Sequence, residues 1–138
     1  MQKNLLKLKT VEAHYISYYL INIFEPFIVN VVMRSNETQI FLTIRKSFFY
    51  LFILILKKHS LFCYDSLMDI WGVDLPFKSN RFCINYLLNS LQYNSKLIIK
   101  VYFKDLELQK SLSNLYNSAG WLERECFDMF GIQFQNNL

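Results

Sequence analysis

Three carboxylates and a guanidinium fall within one short stretch, Glu123-Arg124-Glu125-Cys126-Phe127-Asp128. Carboxylates at such spacing serve metal binding or proton transfer. Arg124 stands among them and neutralises part of their charge, so an interface role is expected of this cluster. Cys63, Cys83 and Cys126 are isolated, with no C-x-x-C pair and no neighbouring histidine. Iron-sulfur ligation takes about four clustered cysteines, and a disulfide framework or zinc site is not expected from this pattern; a reducing compartment is the simplest reading. His14 and His59 fall in separate predicted helices without a matched nucleophile or carboxylate, so ordinary surface or satisfied histidines are expected. Gly72, Gly120 and Gly131 are too far apart for a glycine-rich phosphate loop. The expectation is a chain with no catalytic, cofactor-binding or metal-binding residue of its own.

The elements that position these groups follow from apolar spacing. Residues 9–24 place Val11, Tyr15, Tyr18, Tyr19 and Ile23 at three-and-four intervals, which predicts a first helix with that stripe as its apolar face. Glu25-Pro26 ends it, because proline disfavours the helical conformation in the residue before it. Phe27 to Met33 and Thr38 to Ile44 are β-branched and aromatic runs separated by Arg34-Ser35-Asn36-Glu37, the pattern of a hairpin. Ser47 to Phe62 is long enough for a second helix, and Ser66 to Val73 reads as a strand stopped by Asp74-Leu75-Pro76. Arg81 to Leu91 and Leu97 to Phe103 form a second strand pair around the turn Gln92 to Ser95. Alternation puts Leu97, Ile99, Val101 and Phe103 on an apolar face and Ile98, Lys100, Tyr102 and Lys104 on a mixed one. The predicted order α-β-β-α-β-β-β-α, with short turns between strands, gives a two-layer α+β fold: one domain over residues 1–138, a mostly antiparallel sheet with helices on one side.

A third helix is expected from about Ser111. Leu112, Leu115, Tyr116, Ala119, Leu122, Cys126, Phe127 and Phe130 fall on one side of it and should face the sheet. Trp121, Arg124 and Asp128 cluster on the opposite side, with Arg124 and Asp128 four apart and able to pair. Two residues fit this scheme badly. Trp121 is a large aromatic on the supposed water side. Glu123 would sit within the apolar stripe, where an unpaired carboxylate costs several kcal/mol. Either Gly120 shifts the helix phase, or a second protein covers Trp121 and supplies Glu123 with a partner.

Composition narrows the class. The chain has 138 residues, 53% of them hydrophobic and 19% charged, which supports one compact core and argues against a long disordered segment. Phe, Tyr, Ile, Leu, Lys and Asn dominate while Gly and Pro are scarce, as drift towards AT-rich codons would produce, a hint of an organellar gene. The net charge of +4 is spread over isolated basic residues; a nucleic-acid binder normally shows a denser basic stripe. Phe48 to Leu56 is the strongest apolar run, well short of the roughly 20 residues a membrane-spanning helix needs, so a buried helix is expected there. The basic N-terminus lacks the Arg/Ser richness and cleavage site of a targeting segment and is read as mature helix.

The stretch Ala119-Gly-Trp-Leu-Glu-Arg-Glu-Cys-Phe-Asp-Met-Phe-Gly-Ile-Gln-Phe134 resembles the signature A-x-W-x-E-R-E-x-x-D-M-F-G-[IV]-x-F of the 30 kDa subunit family of respiratory complex I, called subunit nine in mitochondria and given the letter C in bacteria. Leu67-Met-Asp-Ile-Trp-Gly-Val-Asp-Leu-Pro76 is similar to the family's L-x-D-I-x-x-V-D-Y-P segment, with Leu75 where tyrosine is usual. Arg81 to Leu91 and Ser95 to Val101 resemble its two following strands, R-F-x-V-x-Y-x-L-L-S-L and N-x-R-[IL]-R-[VL]-K. The match runs over residues 66 to 134; before that only the order of elements agrees. In the family the signature continues into a His-Pro-Asp-Leu-Arg-Arg tail that extends across neighbouring subunits. Here Asn137 stands in the histidine's place and Leu138 follows, so the tail is expected either to be lost or to be supplied by another polypeptide.

The resemblance implies a scaffold subunit with no redox centre and no cofactor. It would pack beside the large 49-kDa-type subunit and other members of the quinone-reducing module in the peripheral arm of proton-pumping NADH:ubiquinone oxidoreductase. Its place would be the matrix side of the mitochondrial inner membrane, with the membrane reached only through the complex. Trp121, Glu123, Arg124, Glu125, Asp128, Met129, Phe130 and Gly131 are the expected partner-interface residues. Two other classes are weighed against it. The equivalent subunit of a membrane-bound hydrogenase complex would be marked by a large partner bearing nickel-ligating cysteine pairs. A small organellar ribosomal or RNA-binding protein would show salt-sensitive RNA binding.

Overall fold

A computed structural model describes residues 15, 18–33 and 39–137. Residues 18–24 are helical (α1), followed by the 3-10 turn Glu25–Phe27, which carries Pro26 in its first positions. Then come β1 (Ile28–Met33), β2 (Gln39–Ile44), α2 (Phe49–Lys58), β3 (Ser66–Asp74), β4 (Phe82–Ser90), β5 (Ser95–Phe103), the short β6 (Gln109–Lys110), α3 (Ala119–Phe130) and the short β7 (Phe134–Gln135). Five strands form one sheet in the order β1-β2-β5-β4-β3, and β6 and β7 form a separate parallel ribbon. All neighbours in the large sheet are antiparallel except β2 and β5, which run parallel, Leu42 opposite Ile99. The expected α+β class holds, as does the order of the helices and of the five strands of the large sheet; the short β6 and β7 on either side of α3 were not expected. The end of the first expected helix and the two strands after it fall where predicted; Val11, His14 and the turn at Arg34 to Glu37 lie outside the described residues.

The sheet has one thoroughly buried face. Leu97, Ile99, Val101 and Phe103 of β5 are all but inaccessible, as their alternation predicts, and Ile84, Tyr86 and Leu88 of β4 sit beside them. Helix α2 covers this face through Phe49, Phe52, Ile53 and Leu56, a spacing of three and four that turns one stripe inward. The Phe49 and Tyr86 rings lie 4.6 Å apart between centroids. Lys57 and Lys58 close the helix, where positive charge suits the carboxyl end of the helix dipole. The apolar run from Phe48 is thus a core helix, and no helix among the described residues is long and apolar enough to cross a membrane.

The phase of α1 differs from expectation. Tyr15, Tyr18, Tyr19 and Ile23 are exposed, while Leu20 and Phe24 are buried. Phe24 meets Phe52 edge to face, with centroids 4.9 Å apart, so α1 rests on α2. A contact with a single aromatic helix face needs only a narrow stripe, and Leu20/Phe24, four apart, provide it. The tyrosines satisfy the same periodicity on the other side, and periodicity alone does not choose between them.

Candidate partner interface

Helix α3 lies along β3, an edge strand of the sheet. Ser118 Oγ donates to the Leu67 carbonyl at 2.9 Å, and Cys126 Sγ lies 3.6 Å from the Ile70 carbonyl. These contacts shield backbone groups that an open edge strand would leave ready to pair with another chain. Close approach depends on Gly72: a Cβ there would come within 2.9 Å of the Phe130 ring and 3.1 Å of Ile132. Gly131 ends the helix in the left-handed region at φ 72°, donating its N–H to the Phe127 carbonyl at 2.8 Å.

The start of α3 corrects the expectation of a helix from Ser111. Leu115 and Tyr116 both donate to the Leu112 carbonyl and Ala119 donates to Tyr116, which are single turns; the regular helix begins at Ala119. Successive turns also bring apolar residues back every three or four positions, so Leu112 and Tyr116 are buried without belonging to α3. Tyr116 donates its hydroxyl to the Tyr64 carbonyl at 2.6 Å. The Lys57 ammonium hydrogen-bonds the Leu115 carbonyl and lies 4.7 Å over the Tyr116 ring, which ties α2 to this loop.

Within α3 the buried residues are Ala119, Glu123 and Cys126. Glu123 is fully buried, and its own chain satisfies both oxygens: Ser111 Oγ donates to one at 2.6 Å and the Leu112 N–H to the other at 2.7 Å. Neither expected remedy, a phase shift at Gly120 or a carboxylate partner from a second protein, is needed. The turns before the helix supply the donors, and Glu123 drops out of the set of residues able to touch a partner. Burial raises its pKa above the ordinary carboxylate value, with the two hydrogen bonds opposing. Burial first, then the neighbouring Glu125 and Asp69 carboxylates, pushes the Cys126 thiol up to about 12, so it packs as a small apolar group.

Phe127 also departs from expectation. It is 51% exposed, because the buried line of the helix runs through Ala119, Glu123 and Cys126 and the next residue is turned away by ~100°. Trp121 is 75% exposed and Met129 68%, with Arg124, Glu125 and Asp128 on the surface beside them. The Arg124 guanidinium lies 5.3 Å over the Trp121 ring. Phe130 is half-buried against Gly72, and Gly131 is exposed at the helix end. Of the eight signature residues picked out by sequence, five therefore share an open aromatic and ionic surface, and Glu123, Phe130 and Gly131 hold the helix in place.

The β6–β7 ribbon brings the last residues back beside this surface, with Gln109 and Ser111 donating to the Gln133 and Gln135 carbonyls. A cleft of about 320 Å³ opens there, lined by Leu108, Arg124, Phe127, Phe134 and Asn137. At the far end of β3, Arg81 grips Asp74 with two hydrogen bonds of 2.9 and 3.0 Å and reaches Asp105 at 3.3 Å. This contact joins two of the segments singled out by sequence. Among the described residues no group of three or more His, Cys, Asp or Glu could hold a metal ion. His59 accepts the Leu61 N–H within its turn.

The family model for the respiratory-chain NADH dehydrogenase 30 Kd subunit matches residues 42–138. The chain belongs to this family. It is 37% identical over 119 residues to NADH-ubiquinone oxidoreductase subunit 9 of Acanthamoeba castellanii, covering 86% of this chain and 60% of that protein. It is also 35% identical over 118 residues to NADH-ubiquinone oxidoreductase subunit 9 of Reclinomonas americana, covering 86% and 57%. The chain thus spans about three-fifths of the length of these curated relatives. Its fold matches the trypsin-resistant fragment of Nqo5 with a TM-score of 0.70 at 22% identity, covering 83% of this chain and 89% of that one. A chain of an archaeal membrane-bound sulfane sulfur reductase matches with a TM-score of 0.74 at 21% identity, covering 88% and 71%. For both structures the likeness is one of fold. The 30 Kd subunit signature is the stretch that forms α3, its cap and the return into β7.

Proposed function

We propose that this chain is a non-catalytic scaffold subunit of the peripheral, quinone-reducing part of the proton-pumping NADH:ubiquinone oxidoreductase of mitochondria. It sits on the matrix side of the inner membrane, reaches the membrane only through the complex, and brings no cofactor. The outer side of α3, built on Trp121, Arg124, Glu125, Phe127, Asp128 and Met129, packs against a large 49-kDa-type subunit. Membership of the family supports a place in the complex. The single observation that carries the interface is the large aromatic and thioether area that α3 turns outward within the family signature, the composition expected of a protein–protein contact centre.

A scaffold role follows from what the described residues are used for. Glu123, the most buried carboxylate of α3, holds two neighbouring donors, and Cys126 packs against β3. Electron tunnelling and quinone placement depend on distances set by packed neighbours, so a rigid helix gripped from both sides contributes geometry and no reacting atom. Native-gel mass spectrometry of the assembly containing this chain tests the proposal. Recovery with other complex I subunits is the expected result, and an assembly without them refutes it. The hydrogenase alternative gains no support from the sequence relatives, which are named as NADH oxidoreductase subunits.

A further inference from the structure

The β6–β7 ribbon, which walls the cleft beside α3 with Phe134, also walls a second cleft with Lys110 and Gln135. This second cleft measures about 450 Å³, and Lys46, Asn80, Lys104 and Leu108 complete its main outline. Leu108, half exposed, belongs to both clefts. A body lying on the outer side of α3 and over the first cleft therefore touches the rim of the second.

Charge in the second cleft is one-sided. Its one lining carboxylate among the described residues, Glu107, already accepts the Lys46 ammonium at 3.2 Å and the Lys104 N–H at 3.0 Å. The Lys104 and Lys110 ammoniums form no ion pair among the described residues. Lys110 lies 4.0 Å over the Tyr50 ring, which holds its head in place and leaves its charge unbalanced. The loop between β5 and β6 adds a second observation. Leu106 is 92% exposed at φ 65°, a left-handed conformation that a branched apolar residue rarely adopts. The loop's own carboxylates fix it there: Asp105 accepts the Leu106 N–H at 3.0 Å and Arg81 at 3.3 Å, while Glu107 binds the Lys104 N–H. An uncovered leucine at the apex of a strained, stapled loop contributes nothing to its own core. Presented rigidly, it lowers the ordering cost of a contact with another body.

We infer that the subunit covering α3 extends an acidic segment past Leu108 into this second cleft, its carboxylates meeting Lys104 and Lys110 and an apolar residue capping Leu106. Unbalanced ammoniums select an acidic occupant over a neutral or basic one. The shared Leu108 makes the body on α3 the one already within reach. The inference rests on the α3 reading and adds to it the chemistry of the segment that the partner brings.

Amine acetylation of the purified assembly and of the isolated chain reads Lys104 and Lys110, and hydroxyl-radical oxidation of the same samples reads Trp121. The inference expects all three to be protected on assembly. Zero-length carbodiimide cross-linking should join Lys104 or Lys110 to an Asp or Glu of the same subunit that it joins to Glu125 or Asp128. Two variants separate docking from folding. Asparagine adopts the left-handed conformation more readily than leucine, so isolated Leu106→Asn should melt at or above the parent's temperature while its incorporation into the assembly falls several-fold. Lys104→Gln combined with Lys110→Gln should likewise lower incorporation several-fold and leave melting of the isolated chain near the parent's. Normal incorporation of both variants overturns the inference, as does a link from these lysines to a different subunit or only to Glu107. Trp121 protected with both lysines still acetylated defeats the inference and leaves the α3 reading standing. Lysines protected with Trp121 open removes the α3 reading, and this inference with it.

Discussion

Helices α2 and α3 lie on the same face of the same sheet, yet they use their side chains in opposite ways. Helix α2 turns its largest residues inward, Phe49, Phe52, Ile53 and Leu56, as a helix must when its task is to seal its own core. Helix α3 fully buries only an alanine, a cysteine and a carboxylate, half-buries Leu122 and Phe130 against the core, and turns outward a tryptophan, a phenylalanine and a methionine. Its apolar burial is thus thinner than that of α2, and hydrogen bonds from Ser118 and to Glu123 add to it. The contrast is the one the proposed shared helix requires: polar anchors fix its position, and its apolar area is left for another body.

If that contrast is right, truncations on the two helices separate stability from assembly. Phe52→Ala in α2 should have the largest effect, a loss of about 3–5 kcal/mol from cavity formation, seen by denaturant unfolding of the isolated chain. Glu123→Ala comes next, at about 2–3 kcal/mol, because it strands the Leu112 N–H and removes the partner of Ser111 in a closed site. A loss as small as that of a surface substitution would break the claim that polar anchors hold α3. Gly72→Ala should cost about 1–2 kcal/mol by forcing Phe130 and Ile132 away from β3. Trp121→Ala should change the unfolding free energy of the isolated chain by less than about 0.5 kcal/mol, yet impair its incorporation into the assembly, read on native gels. Equal incorporation of that variant would erase the distinction between the helices.

Glu123 sharpens the comparison through pH. Its folded pKa is raised, so the folded state holds the proton more tightly than the unfolded chain. The stability this group contributes is complete below the ordinary glutamate value and is lost as pH rises through the raised folded value. Glu123→Gln keeps an acceptor for Leu112 and should flatten this dependence, measured as melting temperature across mildly acidic pH. Persistence of the slope in that variant would place the titrating group elsewhere.

The readability of the two helices from sequence differs for the same reason. In α2 the apolar run between basic residues announced a buried helix, although the expected span to Phe62 overran its end at Lys58, where the chain passes into turns. The strands were legible too, since β5 alternates strictly and only one register puts Leu97, Ile99, Val101 and Phe103 together. Around α3 the apolar spacing continued back through Leu112 and Tyr116 into turns that mimic a helical repeat; the polar density at Ser113, Asn114, Asn117 and Ser118 was the available sign that the helix starts later. Glu123 looked misplaced because its donors come from Ser111 and Leu112, a turn that folds back beside the helix, and no linear pattern shows that contact. The outward Trp121 was legible because a large aromatic opposite a buried stripe stands out, whereas the Gly72 clearance depends on a ring from another element.

The parallel pairing of β2 with β5 has a consequence for how this chain comes to be folded. As the polypeptide is synthesised, the β1–β2 hairpin is made early, but the strand it must join is separated from it by all of α2, β3 and β4. Until β5 has been made, Ile40, Leu42 and Ile44 have no sheet to lie in, and a sticky edge stays open to other nascent chains. Closing so long a loop is slow, and such waiting intermediates are prone to aggregation. The early hairpin should therefore be the part of this molecule most dependent on a chaperone.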